Sequence, residues 1–211
     1  MNSPGRSDRD ETATSEADEP ADGRVARRRR NMNSVLDVVL EMFGENAMFP
    51  TMEQAATRSG LSLRSLYRYF ADPGELLEAA IRRSRERGLE LSRLHAIGQG
   101  PLGPRIDDFV TMRVELYEAV GPVYRATVAN AARHPRIHEE QRKNRDTLSE
   151  QFERQFGPEL SAKKQAERKT ALSAGDLLTQ LGAIDYLRQH RQLSTAETRM
   201  VLSAALRAIL E

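Results

Sequence analysis

Between Thr51 and Phe70 the chain carries two helix-start signals and one stop signal in a single short stretch, and this constrains its fold more than any other feature. Thr51 followed three residues later by Gln54 has the spacing of a capping box, in which a hydroxyl and a side-chain amide satisfy each other's free backbone donors. A helix is predicted to start there. Met52, Ala55 and Ala56 give it one apolar face, and Gly60, permissive of positive φ, ends it. Ser62 caps a second short helix in which Leu66 and Phe70 stand four apart and turn to the side of Leu63. Two short helices joined by a glycine-containing turn form a helix-turn-helix unit.

With Leu66 and Phe70 inward, the polar face of the second helix carries Arg64, Ser65, Tyr67, Arg68 and Tyr69. Hydroxyls, phenols and guanidiniums suit phosphates and base edges. An ordinary packed hairpin explains the turn equally well; the density of exposed aromatic and basic groups favours the nucleic-acid reading. Ahead of it, Val35, Val38, Val39, Met42 and Phe43 recur at three and four, predicting a helix over 33–43 that Gly44 ends and that closes a three-helix core.

The chain has 211 residues and a net charge of +1, which hides a segregation. Residues 1–23 hold Asp8, Asp10, Glu11, Glu16, Asp18, Glu19 and Asp22 with scarcely a large apolar side chain, and read as a disordered acidic tail. Arg24 and Arg27 to Arg30 follow at once, next to the predicted reading head, where Arg27, Arg28 and Arg29 are placed to meet phosphate or the minor groove. A solvated helix end, or a patch covered by the tail, are the other readings of that run. The absence of cysteine removes disulfides, thiolate nucleophiles and thiol metal sites. No signal-peptide pattern and no apolar run of membrane-spanning length is found, so the cytoplasm is the expected location.

Enzymatic readings fare badly. His134 and His138 have a helical metal spacing, but no glutamate follows the first histidine and no third ligand stands nearby. No glycine-rich phosphate loop and no Gly-x-Ser-x-Gly are present, and neither a catalytic residue nor a cofactor or metal is expected.

Asp72 and Pro73 open a fourth helix running to about Ile97, after which Gly98 to Pro104 is dense in turn formers. The predicted organisation is a tail (1–23), a helix-turn-helix domain (24–72), a connecting helix (73–98) and a C-terminal regulatory and dimerisation domain (99–211). Beyond residue 104 no period-two run occurs, so the fold class is all-α. Helices are predicted around Ile106 to Tyr117, broken at Gly121-Pro122, then 123–133, 135–156, 159–171, 174–190 and, opened by the capping box Ser194-x-x-Glu197, 195–210. The last helix is apolar over much of its circumference and calls for two neighbours. The final two helices are therefore expected to pair with their copies in a two-fold four-helix bundle through Leu177, Ile184, Leu187, Val201, Leu202, Leu206 and Ile209.

Residues 60–70, Gly-Leu-Ser-Leu-Arg-Ser-Leu-Tyr-Arg-Tyr-Phe, and the continuation through Asp72-Pro73-Gly74-Glu75-Leu76-Leu77, resemble the DNA-binding domain of the TetR family of bacterial transcriptional regulators, closely over roughly 26–83. One departure is that family members often place a phosphate-binding lysine in the first turn after the phenylalanine, where Pro73 stands here. The resemblance implies base reading by Leu63, Arg64 and Tyr67, and phosphate binding by Thr51, Ser62, Ser65, Tyr67 and Tyr69, on double-stranded DNA with an inverted-repeat operator. It further implies a homodimer and a small-molecule effector in the C-terminal body. Candidate lining is Phe109, Met112, Leu116, Tyr117, Tyr124, Phe152, Leu178 and Leu181, with Arg113 and Asp176 as polar contacts. A repressor released by its effector is the leading expectation; an activator, a regulator controlled by a protein partner, or a helical adaptor without specific DNA binding are the alternatives.

Overall fold

The structure, a computed structural model, describes residues 21–46 and 49–211, and every regular element among them is helical. Most of the expected acidic tail lies outside the described residues. Ten α-helices follow in order: α1 Ala21–Asn46, α2 Met52–Ser59, α3 Leu63–Tyr69, α4 Pro73–Leu91, α5 Leu102–Asn130, α6 Pro135–Gln155, α7 Gly157–Ala162, α8 Gln165–Thr179, α9 Leu181–Asp185 and α10 Thr195–Leu210. A 3₁₀ turn (Ala131–Arg133) joins α5 to α6, and a π-helical turn (Tyr186–His190) follows α9.

Two apolar cores organise them. The first gathers Val35, Val39 and Phe43 of α1, Met52 and Ala55 of α2, Leu66 and Phe70 around α3, and Leu76, Leu77 and Ala80 of α4. Ala126 of α5 and Ile137 of α6 reach into the same core, so the reading head rests directly on the body. The second core holds Ile106, Phe109, Val110 and Val114 of α5 against Phe152, Phe156, Leu160, Ile184, Leu202, Leu206 and Leu210. Burial of each of the larger side chains among these is worth about 1.5–3 kcal/mol.

Several boundaries differ from the sequence reading. α1 begins at Ala21, inside the expected tail, and the helix expected over 159–171 is divided into α7 and α8 at the extended Lys163 and Lys164. Four further differences have identifiable causes. α1 does not stop at Gly44 but continues to Asn46. A Cβ at Gly44 would lie 3.8 Å from Pro122 Cβ, so the glycine marks where α1 passes α5 rather than a helix end. α5 runs unbroken through Gly121 and Pro122, because one end buries Leu116 and Tyr117 in the second core while the other delivers Ala126 to the first. α4 ends at Leu91 rather than near Ile97; the Ser92 N–H closes it on Gly88 O, and Ser92 itself is buried. The helix expected over 174–190 is broken at Gln180, whose backbone is extended (φ −72°, ψ 149°) and whose side-chain amide donates to Asp176 Oδ1 at 2.7 Å and Ser149 Oγ at 3.2 Å.

Two polar devices fix helix ends. Buried Arg105 donates to Gln155 O at 2.8 Å and pairs with Glu159, satisfying a carbonyl left open where α6 ends. Before α10, Ser194 Oγ accepts from Glu197 N at 3.2 Å while Glu197 Oε2 accepts from Ser194 N at 2.8 Å, the capping box its sequence predicts. Ser194→Ala is expected to lower stability by about 1 kcal/mol in chemical denaturation, with the circular dichroism of the native state unchanged.

Candidate nucleic-acid interface and regulatory cavity

The reading unit is built as its sequence dictates. Thr51 Oγ1 accepts from Gln54 N at 3.2 Å and Gln54 Oε1 accepts from Thr51 N at 2.9 Å, closing the capping box. Gly60 takes φ +70°, and no neighbour crowds it, so conformation alone requires glycine there. Ser62 Oγ accepts from Ser65 N at 3.1 Å and lies 2.9 Å from Ser65 Oγ. Leu66 and Phe70 are buried, whereas Leu63 at the first turn of α3 faces solvent with Arg64, Tyr67 and Arg68. The inward turn that spacing gave Leu63 is thereby corrected: it stands one turn beyond the edge of the core.

Tyr69 is half-buried between two arginines, with the Arg68 guanidinium 5.5 Å and that of Arg28 5.8 Å from its ring centroid. Contacts of this kind are worth about 0.5–1 kcal/mol at an exposed site. A hydrogen bond from Asn31, with help from Arg68, holds the phenol below its ordinary range. Arg28 thus links the basic run of α1 to α3, while Arg27 and Arg29 are exposed beside it. Thr51 and Ser62 stand at the N-termini of α2 and α3, where open N–H groups favour an anion. At the start of α4, Asp72 Oδ1 accepts from Glu75 N at 2.8 Å and faces Arg136 of α6 at 3.4 Å.

α4 ties this head to the helical body. Asp37 of α1 accepts from Arg83 at 2.7 and 2.9 Å and pairs with Arg87 at 2.7 Å, and the two guanidiniums hold its carboxyl below the usual range. On its opposite side α4 contributes Ile81, Ser84, Arg85, Gly88 and Leu89 to a cavity of about 430 Å³ closed by α5, α6 and the α8–α9 corner. Small-molecule sites are commonly about 300–1,000 Å³.

Of the lining the sequence proposed, Leu116, Tyr124 and Leu181 reach this cavity, and burial raises the Tyr124 phenol above its usual range. The others do not line it. Phe109 and Phe152 pack with Phe156 at centroid separations of 6.0, 5.2 and 5.0 Å in the second core. Arg113 is buried over Phe109, and Tyr117 donates to Asp185 at 2.8 Å. Met112 and Leu178 flank the second core, and Asp176 is held by Ser149 and Gln180. Helix periodicity gives a face to α5 without saying which neighbour that face meets. The polar lining that sequence missed is Ser84, Arg85, Ser92, Thr127, Gln141, Asn144, Arg145, Thr147 and Gln180; the one signal for it was Gly88, a buried glycine inside α4 whose Cβ would stand 3.0 Å from Leu116.

The proposed dimer residues divide. Ile184, Leu202 and Leu206 are fully buried within the subunit, so they belong to its own core, a correction to the reading that placed them outward. Leu177 and Val201 are exposed, together with Met200, while Leu187 and Ile209 are half-buried. Apolar side chains thus remain exposed on α10, and on α8 Leu177 is exposed at the cavity it helps to line. Among the described residues no cluster of three or more histidines and carboxylates is placed to hold a metal ion, and no helix is long and apolar enough to cross a membrane. His134 instead packs its ring against Phe49, with centroids 5.4 Å apart.

The chain is similar to several described transcriptional regulators. The HTH-type transcriptional regulator BetI of Escherichia coli is 29% identical over 161 residues, which cover 74% of this chain and 81% of that protein. BetI of Klebsiella pneumoniae is 28% identical over 153 residues, covering 70% and 77%. No family model matches the chain. Among solved structures, a TetR-family regulator from Streptomyces coelicolor superposes with a TM-score of 0.69 at 17% identity, covering 86% of this chain and 80% of that one. A transcriptional regulator from Rhodococcus sp. RHA1 follows at 0.66 and 19%, covering 87% and 95%.

Proposed function

We propose that this chain is a TetR/AcrR-type helix-turn-helix regulator, a reading supported by its likeness to BetI and to TetR-family structures, and that it acts as a homodimeric repressor whose cavity ligand releases it from an inverted-repeat operator. The observation that carries this is the double duty of α4, which is ion-paired to the reading head through Asp37 and lines the cavity with its opposite side. A ligand that favours one position of α4 favours one position of α3. In a two-fold dimer this changes the separation of the two reading helices, and only one separation matches successive major grooves. Met200 and Val201 supply the apolar face on which two subunits meet.

On DNA, Leu63, Arg64 and Tyr67 face base edges. The fork of Arg64 suits guanine, and Leu63 suits a thymine methyl. Thr51, Ser62, Ser65, Tyr69 and Arg27 to Arg29 meet the backbone. Selection of genomic fragments by the purified protein, followed by footprinting at two salt concentrations, tests the reading: a short inverted repeat, with affinity falling steeply as salt rises, is the expected result. Arg64→Ala is then expected to cost about 1–3 kcal/mol at one base pair and relax preference there, while Tyr69→Phe weakens all sites alike. Binding that is sequence-blind in the wild type, or an Arg64→Ala protein that keeps its full preference, defeats the assignment.

A further inference from the structure

The cavity beside α4 is not chemically neutral. Its wall is mostly apolar, yet the side chains in it that carry charge at neutral pH are Arg85 and Arg145, and no carboxylate lines it. The nearest acid at the α4–α6 seam, Glu140, is buried behind the lining and already holds Lys143 at 2.7 Å, with Arg85 Nε 3.5 Å from its other oxygen. Neither Arg85 Nε nor that oxygen has a hydrogen-bond partner, so the contact is Coulombic only. Next to Glu140 in the chain, Gln141 is 9% exposed, lines the cavity and has an Nε2 group without a hydrogen-bond partner. Leaving a buried amide donor open is unfavourable. A ligand acceptor at that point would satisfy it.

From these features we infer that the cavity takes an anionic amphiphile: an apolar chain or ring system along Leu116, Val120 and Leu181, with a carboxylate-type head against Arg85 and Gln141. Arg85, whose carboxylate partner Glu140 is shared with Lys143, and the exposed Arg145 leave the wall with an excess of positive charge that favours an anion and repels a cation, and a hydrogen bond to an ionised acceptor is about twice as strong as one between neutral groups. The head would sit against α4, the helix that ties the reading unit to the body, so its charge bears directly on the position of that helix. This inference rests on the ligand-binding reading given above and specifies its ligand.

The test uses the full chain and three probes of one tail length, sodium decanoate, 1-decanol and decyltrimethylammonium, each below its aggregation concentration, in isothermal titration calorimetry. Decanoate is expected to bind once per subunit about tenfold more tightly than decanol, the ammonium compound less tightly than either. Arg85→Gln and Gln141→Leu should each remove most of the decanoate advantage while leaving decanol binding unchanged. Gln141→Leu deletes an amide whose Nε2 has no partner, so it tests the point even if Arg85→Gln upsets Glu140. A preference for the ammonium compound, equal binding of acid and alcohol, or an advantage that survives both substitutions overturns the anionic head and leaves the ligand cavity standing. Failure of all three probes to bind overturns the ligand-binding reading itself.

Discussion

Gly175→Ala is expected to destabilise the chain by about 2 kcal/mol or more, against the preference of a helix for alanine. Gly175 is buried in α8, and a Cβ there would fall 2.1 Å from Cζ of Phe152 and within 2.9 Å of two further ring atoms. Helix propensity alone favours the substitution by about 1 kcal/mol. The clash wins because the ring has nowhere to retreat: Phe152 is fully buried and is hemmed in by Phe156 at 5.0 Å and Phe109 at 6.0 Å between centroids. The helix must therefore move out from α6, and Leu177 with it. Urea unfolding measures the loss. Pairing Gly175→Ala with Phe152→Leu should return a good part of it, because the smaller side chain vacates the disputed volume; additive losses in that cycle would show that the methyl and the ring do not meet.

The difference between Gly60 and Gly175 says how much of this protein its sequence discloses. Gly60 acts through its own φ, and its neighbours Thr51, Gln54, Ser62 and Ser65 act on one another within a turn or two, so the reading head was legible residue by residue. Gly175 acts through a ring distant in sequence, and nothing in its surroundings along the chain announces that. The same holds for the cavity, where α4, α5, α6 and α9 each give one face and the space belongs to none of them. Periodicity recognised the apolar side of α5 but not that its Leu116 would meet α4 while Phe109 met α6, so the lining it proposed was partly core. Ile184, Leu202 and Leu206 were misread for a related reason. A helix apolar on several sides reveals that it has several neighbours, and not which of them lie in its own subunit.

Arg113 supplies the second large effect, and it separates charge from volume. Its side chain is fully buried over the Phe109 ring at 4.6 Å, donating from Nη1 to Gln151 Oε1 at 2.6 Å and from Nη2 to Leu148 O at 2.8 Å, while Nε has no partner. Burial pushes the guanidinium down to about 9, opposed by the more distant charge of Asp176, so it remains a cation at neutral pH. A buried cation without a contacting carboxylate is costly, and an apolar side chain of similar length often matches or exceeds its stability. Arg113→Met is therefore expected to be as stable as the wild type or more so at pH 7, whereas Arg113→Ala, which leaves a void beside Phe109, should lose about 3 kcal/mol. The pH dependence has a definite sign. Because the folded value, near 9, lies well below that of the unfolded chain, the unfolded chain binds more protons as pH passes 9, so stability contributed at this site rises as pH climbs above about 9. Unfolding wild type and Arg113→Met in urea at pH 8 and pH 10 should therefore show a relative gain by the wild type of order 1 kcal/mol at the higher pH. A constant difference would mean that the guanidinium is solvated in the native state. The charge also has a structural role, because Arg113 orients Gln151, whose amide donates at 3.1 Å to Ser92 O where α4 ends. Arg113→Met should release that end, read as faster hydrogen exchange after Leu91 with the α2–α3 unit unchanged, so that any stability gained is matched by a looser hold on the helix that joins cavity to reading head.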